Sequence, residues 1–155
     1  MSDTTIQKKV VLFADVPKIE VEVLEVELGT ATSDKIKMVN VHPFSYSVFD
    51  DTEIKSSDLY IVKGIDFESY YESFAPLNEE YTSAINAERF EKDGVVYGFK
   101  VYDKETKEGY LTEYITYETD YDYYLFFNIE SIHTKGLYEK SIDNEALKVA
   151  KKIFE

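Results

Sequence analysis

The chain has 155 residues, of which 44% are hydrophobic, a length and composition that predict one folded domain spanning residues 1–155. It carries 31 acidic residues against 17 lysines and arginines, a net charge of −14, so its surface would repel nucleic-acid phosphates and anionic lipid headgroups. It contains no cysteine, which excludes disulfides, thiolate catalysis and cysteine-ligated metals.

Three short runs in the first half of the chain predict strands. Lys9–Ala14 (K-V-V-L-F-A) is almost entirely apolar, which is typical of a buried strand in the centre of a parallel sheet. Lys35–His42 alternates between polar and apolar residues and ends at Pro43, and Asp58–Lys63 ends at Gly64. We expect these three strands to lie in one sheet, parallel to one another.

The segment between the first two strands has the end signals of a helix. Asp15 is a candidate N-cap, Pro17 fits a first helical turn, and Gly29 is a natural end. The apolar residues between them follow two spacings. Val21, Leu24 and Leu28 have helical spacing, whereas Ile19, Val21 and Val23 alternate as in a strand. Because the end signals agree, we predict a helix.

Aromatic residues mark the next predicted helix. Asp66 is its candidate N-cap and Pro76 ends it. Its aromatic residues fall at positions i, i+3, i+4 and i+7, as on one helix face: Phe67, Tyr70, Tyr71 and Phe74. Asn78 then opens a shorter helix that runs to about Ala87.

The second half of the chain predicts a hairpin, two further strands and a terminal helix. Asp93-Gly94 is a strong hairpin turn signal between Phe90–Lys92 and Val95–Val101. Leu111–Glu118 alternates, and Tyr123–Ile129 is densely aromatic, so both predict strands. The terminal helix has one apolar face, formed by Ile142, Ala146, Val149, Ala150 and Ile153. Together these elements predict an α/β fold with a mixed, partly parallel sheet flanked by helices.

The sequence contains no motif that indicates catalysis or metal binding. His42 and His133 have no partner at metal-ligand spacing, which favours packing or capping roles. No serine lies in a G-x-S-x-G motif and no glycine-rich loop could cradle a phosphate, although a triad assembled in space stays open. An acidic cluster lacks the glycine and final glutamate of a calcium loop, which favours a solvated face: Glu113, Glu118, Asp120 and Asp122. We therefore expect a protein without catalytic residues, metal ligands or cofactors.

The carboxyl ends of the three predicted parallel strands give a candidate ligand site. In open α/β sheets, ligands bind at this edge. The residues expected there mix charged and aromatic groups, which suit a small polar solute. Besides His42, they are Asp15, Phe44, Tyr46, Lys63 and Asp66. The alternative is that they serve as capping and packing residues.

The order of several motifs resembles the first lobe of the extracellular solute-binding proteins of ABC transporters, the family that includes maltose-binding protein. The resemblance runs from about Lys9 to Leu137. It is carried by Ile36–Pro43, Ser57–Val62, Phe67–Leu77, the D-G-x-x-Y-G hairpin Asp93–Gly98, and Tyr124–Ile129 followed by Gly136-Leu137.

This resemblance implies a non-enzymatic, extracytoplasmic protein at the surface of a Gram-positive bacterium. Its ligand contacts would come from the loops after the strands, which here contain Asp15 and Lys63–Asp66. The partner would be a small solute or another protein. No apolar run approaches the roughly 20 residues that span a bilayer, so no transmembrane segment is expected.

A second interpretation comes from the end of the chain. An aromatic strand, a loop and a terminal helix also resemble the Mog1/PsbP-like α+β sandwich. That fold would have a largely antiparallel sheet and would suit an acidic, intracellular immunity or inhibitor-type protein with a basic partner. The acid excess is compatible with such a partner, and it equally serves to keep the chain in solution.

Overall fold

The computed structural model describes residues 9–30, 38–43, 57–129 and 145–155, which form a mixed sheet with apolar cores on both faces. The strands are β1 (Lys9–Ala14), β2 (Lys18–Ile19), β3 (Met38–Pro43), β4 (Leu59–Lys63), β5 (Arg89–Lys92), β6 (Val95–Asp103), β7 (Glu108–Gly109), β8 (Ile115–Thr116) and β9 (Tyr123–Phe127). The helices are α1 (Val21–Gly29), α2 (Phe67–Tyr70), α3 (Glu79–Ala84) and α4 (Glu145–Ile153), and 3-10 turns at Gly64–Asp66 and Tyr71–Ser73 flank α2.

The main sheet has a parallel half and an antiparallel half. Its strand order is β3-β1-β4-β9-β6-β5, with β7 also paired to β6. β1 is parallel to both β3 and β4, whereas β9 is antiparallel to β4 and β6. The predicted α/β class with a mixed, partly parallel sheet is confirmed. The α+β alternative required a largely antiparallel sheet, and the parallel pairing of β1, β3 and β4 departs from it.

β4 is buried on both faces and separates two cores. Leu59 and Ile61 face the larger core, to which α1 and α4 contribute Leu24, Leu28 and Val149. The smaller core, on the opposite face, is mainly aromatic: Phe13, Tyr60, Val62, Phe67, Phe74 and Phe126. In it the rings of Phe74 and Phe126 stack at 4.4 Å with an interplanar angle of 5°. The aromatic residues predicted to share a helix face therefore supply two rings of this core.

The start of α1 differs from the prediction. Glu20, not Asp15, precedes the first helical residue, and it makes no side-chain cap. Lys18 and Ile19 instead pair with β8 as the short antiparallel strand β2. The alternating spacing thus determines the structure before Val21 and the helical spacing determines it afterwards. The predicted end at Gly29 is confirmed.

Two further predictions are wrong in part. Asp66 makes no side-chain cap, and the predicted helix after it is shorter than expected: α2 ends at Tyr70 and a 3-10 turn, Tyr71–Ser73, follows it. Leu111–Glu118 is mostly a turn, because Leu111 adopts a positive φ of 62° and its carbonyl oxygen accepts from the N–H groups of Tyr114 and Ile115. By contrast, the Asn78 cap, the hairpin at Asp93-Gly94 and the strand from Tyr123 are confirmed.

Side-chain carboxylates complete the hydrogen bonding of two strands. The N–H of Val11 in β1 donates to Oδ2 of the buried Asp58 at 2.7 Å, while the N–H of Asp58 donates to the carbonyl oxygen of Val11 at 2.8 Å. Asp58, which precedes β4, thus adds two hydrogen bonds to β1 before the pairing of β1 with β4 begins. In β3, the N–H of Val41 donates to Oε2 of Glu25 in α1 at 2.8 Å.

We predict that Asp58→Ala lowers the free energy of unfolding by about 1–3 kcal/mol, because the buried N–H of Val11 loses its acceptor. Asp58→Asn retains an amide oxygen that can accept this hydrogen bond, so it should cost less. Urea denaturation monitored by circular dichroism measures both variants. Equal losses in the two variants would contradict this role of the Asp58 oxygen.

Gly98 in β6 provides a second test of the sheet. A Cβ at this position would overlap the carbonyl oxygen of Leu125 and lie 2.8 Å from the ring of Phe126. We expect Gly98→Ala to destabilise the protein by about 1–3 kcal/mol through overpacking. Gly29→Ala is the matched control, since a Cβ there has no neighbour within 4 Å. A neutral Gly98→Ala would mean that β6 and β9 are not packed this closely.

Candidate functional site

Three of the five predicted site residues lie together at the carboxyl ends of the parallel strands. Asp15 directly follows β1, Lys63 ends β4, and Asp66 ends the 3-10 turn after β4. The N–H of Asp15 donates to the carbonyl oxygen of Ile61 at 2.9 Å, which continues the β1–β4 pairing. The chain passes from β1 to β3 on one side and returns to β4 on the other, so these residues lie where the strand order reverses.

The other predicted positions cannot be placed in this site. Phe44 and Tyr46 lie outside the described residues, and so does His133, for which a packing or capping role is predicted. His42 pairs with Phe13 across β1 and β3, but its side chain is not among those described. The assignment of His42, Phe44 and Tyr46 to the edge stays a prediction.

Lys63 has two partners that the sequence did not point to. Its Nζ lies 2.8 Å from Oε2 of Glu118 and 4.4 Å from the ring centroid of Tyr121. Both partners precede β9, and the antiparallel pairing of β9 with β4 sets Tyr123 opposite Lys63. No local pattern indicates this pairing. The acidic cluster predicted to be a solvated face therefore contributes Glu118 to the site.

Backbone and hydroxyl hydrogen bonds fix the loop that carries Glu118. The N–H of Glu118 donates to the hydroxyl oxygen of Tyr123 at 3.2 Å, and the N–H of Gly64 donates to the carbonyl oxygen of Asp122 at 3.0 Å. Just before the loop, the hydroxyl of Tyr117 donates to the carbonyl oxygen of Tyr110 at 2.7 Å. The carboxylate is thus presented to Lys63 from a tethered loop.

The charges at this site act on one another. Burial raises the pKa of Asp15, and the carboxylates of Asp66 and Glu118 raise it further. The Lys63 ammonium lowers this pKa but does not offset the rise. Burial also raises the pKa of Asp66. Burial lowers the pKa of Lys63, but the hydrogen bond to Glu118 and the charges of Tyr123 and Asp15 outweigh it, so the pKa lies above its usual value. Lys63 is therefore a protonated cation and is unsuited to act as a nucleophile at neutral pH.

A second lysine is surrounded by carboxylates at the same edge. The Nζ of Lys100 lies 2.9 Å from Glu88, 3.3 Å from Asp103 and 3.8 Å from Asp122. Since β4 and β6 are both antiparallel to β9, the two strands run in the same direction and Lys100 lies toward their shared carboxyl edge. Residues directly opposite each other on neighbouring strands point to the same face of the sheet. Lys63 is opposite Tyr123, which faces the larger core, and Lys100 is opposite Tyr124, which faces the smaller one. The two lysines are therefore on opposite faces.

A cavity of about 430 Å³ adjoins Lys100. It is lined by charged, hydroxyl and aromatic groups, among them Glu88, Lys100, Asp103, Thr106, Glu108 and Tyr110. Asp15, Lys63 and Asp66 do not line it. The edge therefore combines an open cluster around Lys63 with a concave cluster around Lys100. In both clusters carboxylates outnumber the lysine, an arrangement that can hold a positively charged or hydrogen-bonding group.

Few other features of the described residues point to a ligand or a location. No group of three or more His, Cys, Asp or Glu in residues 9–30, 38–43, 57–129 and 145–155 could hold a metal ion. No helix in the described part of the chain is long and apolar enough to cross a membrane. Comparisons with protein-family models, curated proteins and solved structures give no match.

The raised pKa of Asp15 leads to a prediction about stability and pH. Because its ionised form is disfavoured in the folded state, Asp15 destabilises the protein above its unfolded pKa of about 3.8. Asp15→Asn, which imitates the neutral form, should raise the melting temperature at pH 7. The gain should shrink as the pH falls toward 3.8, where the unfolded Asp15 also becomes protonated. A lower melting temperature for Asp15→Asn at pH 7 would contradict the unfavourable burial of this carboxylate.

Proposed function

We propose that this chain is a non-enzymatic binding module that holds a small polar solute at the carboxyl edge of its parallel strands. The observation that carries the proposal is the convergence of Asp15, Lys63 and Asp66 with Glu118 at the point where the strand order reverses. Charged and aromatic groups that converge at such a point are the usual components of a solute site in α/β folds.

The charge balance favours a solute that carries an amine. Three carboxylates, those of Asp15, Asp66 and Glu118, act on one ammonium, that of Lys63. A second positive group could share these carboxylates, and the face of Tyr121 already contacts a cation. An anionic solute would meet an excess of like charge. The same argument applies to the cavity beside Lys100, lined by Glu88, Asp103 and Glu108.

The resemblance to one lobe of an extracellular solute-binding protein agrees with this proposal. The parallel pairing of β1, β3 and β4 is what that lobe requires, and the site lies in the loops where the family holds its ligand. An extracytoplasmic, surface-associated location is proposed from this resemblance alone.

The alternative function is an intracellular interaction protein of the acidic immunity or inhibitor type. The net charge of −14 favours it, since such a surface would attract a basic partner. This alternative requires no small solute. A search for solute binding therefore distinguishes the two.

We predict that an amine-bearing solute stabilises the protein against thermal unfolding. The panel should contain polyamines, amino acids, peptides, sugars and divalent ions. A solute at 100 times its dissociation constant would add about 2.7 kcal/mol, a shift of several degrees. Absence of a shift across the panel would reject the small-solute function and leave the protein partner.

Two glutamates in the same loop region provide a matched test of the site. Glu118 pairs with Lys63, whereas Glu113 is an exposed acid five residues earlier in the chain. Glu118→Gln should weaken binding of the solute about tenfold, because a charged hydrogen-bond acceptor is lost. Glu113→Gln should leave it unchanged. Isothermal titration calorimetry measures both, and equal losses would show that general acidity, not this site, attracts the solute.

A further inference from the structure

The outward face of α1 exposes apolar side chains between carboxylates. Val23 and Val26 are 57% and 73% exposed, and Val26 is the most exposed large hydrophobic residue in the described part of the chain. They are three residues apart and therefore share a face, which also carries the exposed Glu22. The opposite face is buried through Leu24 and Leu28. Burial of these two neighbouring valines against another surface would be favourable.

The neighbouring helix α4 presents the opposite charge. Its buried face is formed by Ala146, Leu147, Val149, Ala150 and Ile153, and the three lysines Lys148, Lys151 and Lys152 lie outside that face. The two helices touch, since Nζ of Lys152 lies 3.3 Å from Oε1 of Glu27 in α1. One cavity of about 260 Å³ is bordered by the three lysines, by Thr30 just past α1 and by Glu155. The carboxylate of Glu155 lies 3.1 Å from Nζ of Lys152, so Lys148 and Lys151 carry most of the positive charge that α4 offers to a partner. An acidic, partly apolar stripe thus lies directly beside a basic stripe.

We propose that this pair of helices is a contact surface for a second copy of the chain. In a two-fold dimer the same patch meets itself, so the patch must be complementary to itself. Adjacent acidic and basic stripes meet this condition when α1 of one copy lies along α4 of the other. The contact would cover Val23 and Val26 and bring Glu22 of one copy toward the lysines of its partner. The proposal is independent of the solute site, whose residues lie at the strand ends.

A foreign basic partner fits this surface less well. A cationic segment that approached Val23 and Val26 would also meet the lysines of α4, and a purely acidic segment would meet the glutamates of α1. A second copy presents both charges in the required order. The net charge of −14 opposes self-association at long range, but at 0.15 M salt the Debye length is about 8 Å, so distant charges are screened more than contacting ones.

The size of the surface sets the strength that we expect. Each helix has nine residues and is about 13.5 Å long. A contact limited to two such helices per copy is smaller than the roughly 1,600 Å² of a standard interface. The dimer should therefore be weak, and it should form in the range from about 0.1 to 1 mM protein.

Sedimentation equilibrium of the full chain tests the proposal at 0.15 M salt, from 20 μM to 1 mM. The average mass of the wild type should rise toward that of a dimer. Val26→Glu, which adds a negative charge to the acidic stripe, and Lys151→Glu, which removes charge complementarity, should each raise the dissociation constant about tenfold or more. Because both side chains are exposed, the variants should melt as the wild type does.

Ile65→Glu is the matched control, since Ile65 is 70% exposed and belongs to the 3-10 turn after β4 and not to either helix. It should dimerise like the wild type. A double variant, Glu22→Lys with Lys151→Glu, exchanges charge between the stripes and should recover part of the association that Lys151→Glu loses. A wild type that stays monomeric at 1 mM, or a dimer that Val26→Glu and Lys151→Glu leave intact, would overturn the proposal.

Discussion

The two different pairings of β4 are the constraint on which the rest of the structure depends. β4 is parallel to β1 along one side and antiparallel to β9 along the other, so it joins the two halves of the sheet. Its residues Leu59 to Val62 are buried and alternate between the larger and the smaller core. The same pairings bring Asp15 beside Lys63 from one side and Glu118 from the other. Fold and candidate site therefore have a common origin in this strand.

Much of the fold could be predicted because its signals are local. The apolar run Lys9–Ala14 correctly predicts β1, the Asp93-Gly94 turn predicts the hairpin, and the N-cap Asn78 predicts the start of α3. The errors occurred where local signals conflict or where the backbone overrides the pattern. Before Val21 the chain follows the alternating spacing and forms β2 instead of the predicted helix. At Leu111 the backbone is left-handed, which prevents a strand although the side chains alternate between apolar and polar.

The candidate site was predictable only on one side of β4. Asp15, Lys63 and Asp66 follow parallel strands, so the rule for carboxyl ends identifies them from the sequence. Glu118 reaches Lys63 through the pairing of β4 with β9, which are about sixty residues apart in sequence and share no motif that would reveal it. Its many acidic neighbours also made Glu118 look like part of a solvated surface. The excess of acidic residues therefore prevented Glu118 from being recognised in the sequence as the ion-pair partner of Lys63.

The hydrogen bond between Val41 and Glu25 has a consequence for how the sheet ends. Among the described residues β3 is the last strand on the parallel side, and a terminal strand can recruit strands from other molecules through its unpaired backbone groups. The carboxylate of Glu25 already occupies the N–H of Val41, and an incoming carbonyl oxygen would have to displace it. The carboxylate would also bring a negative charge close to any approaching chain. A single side chain of α1 thus removes one of the backbone donors through which another strand could pair with β3.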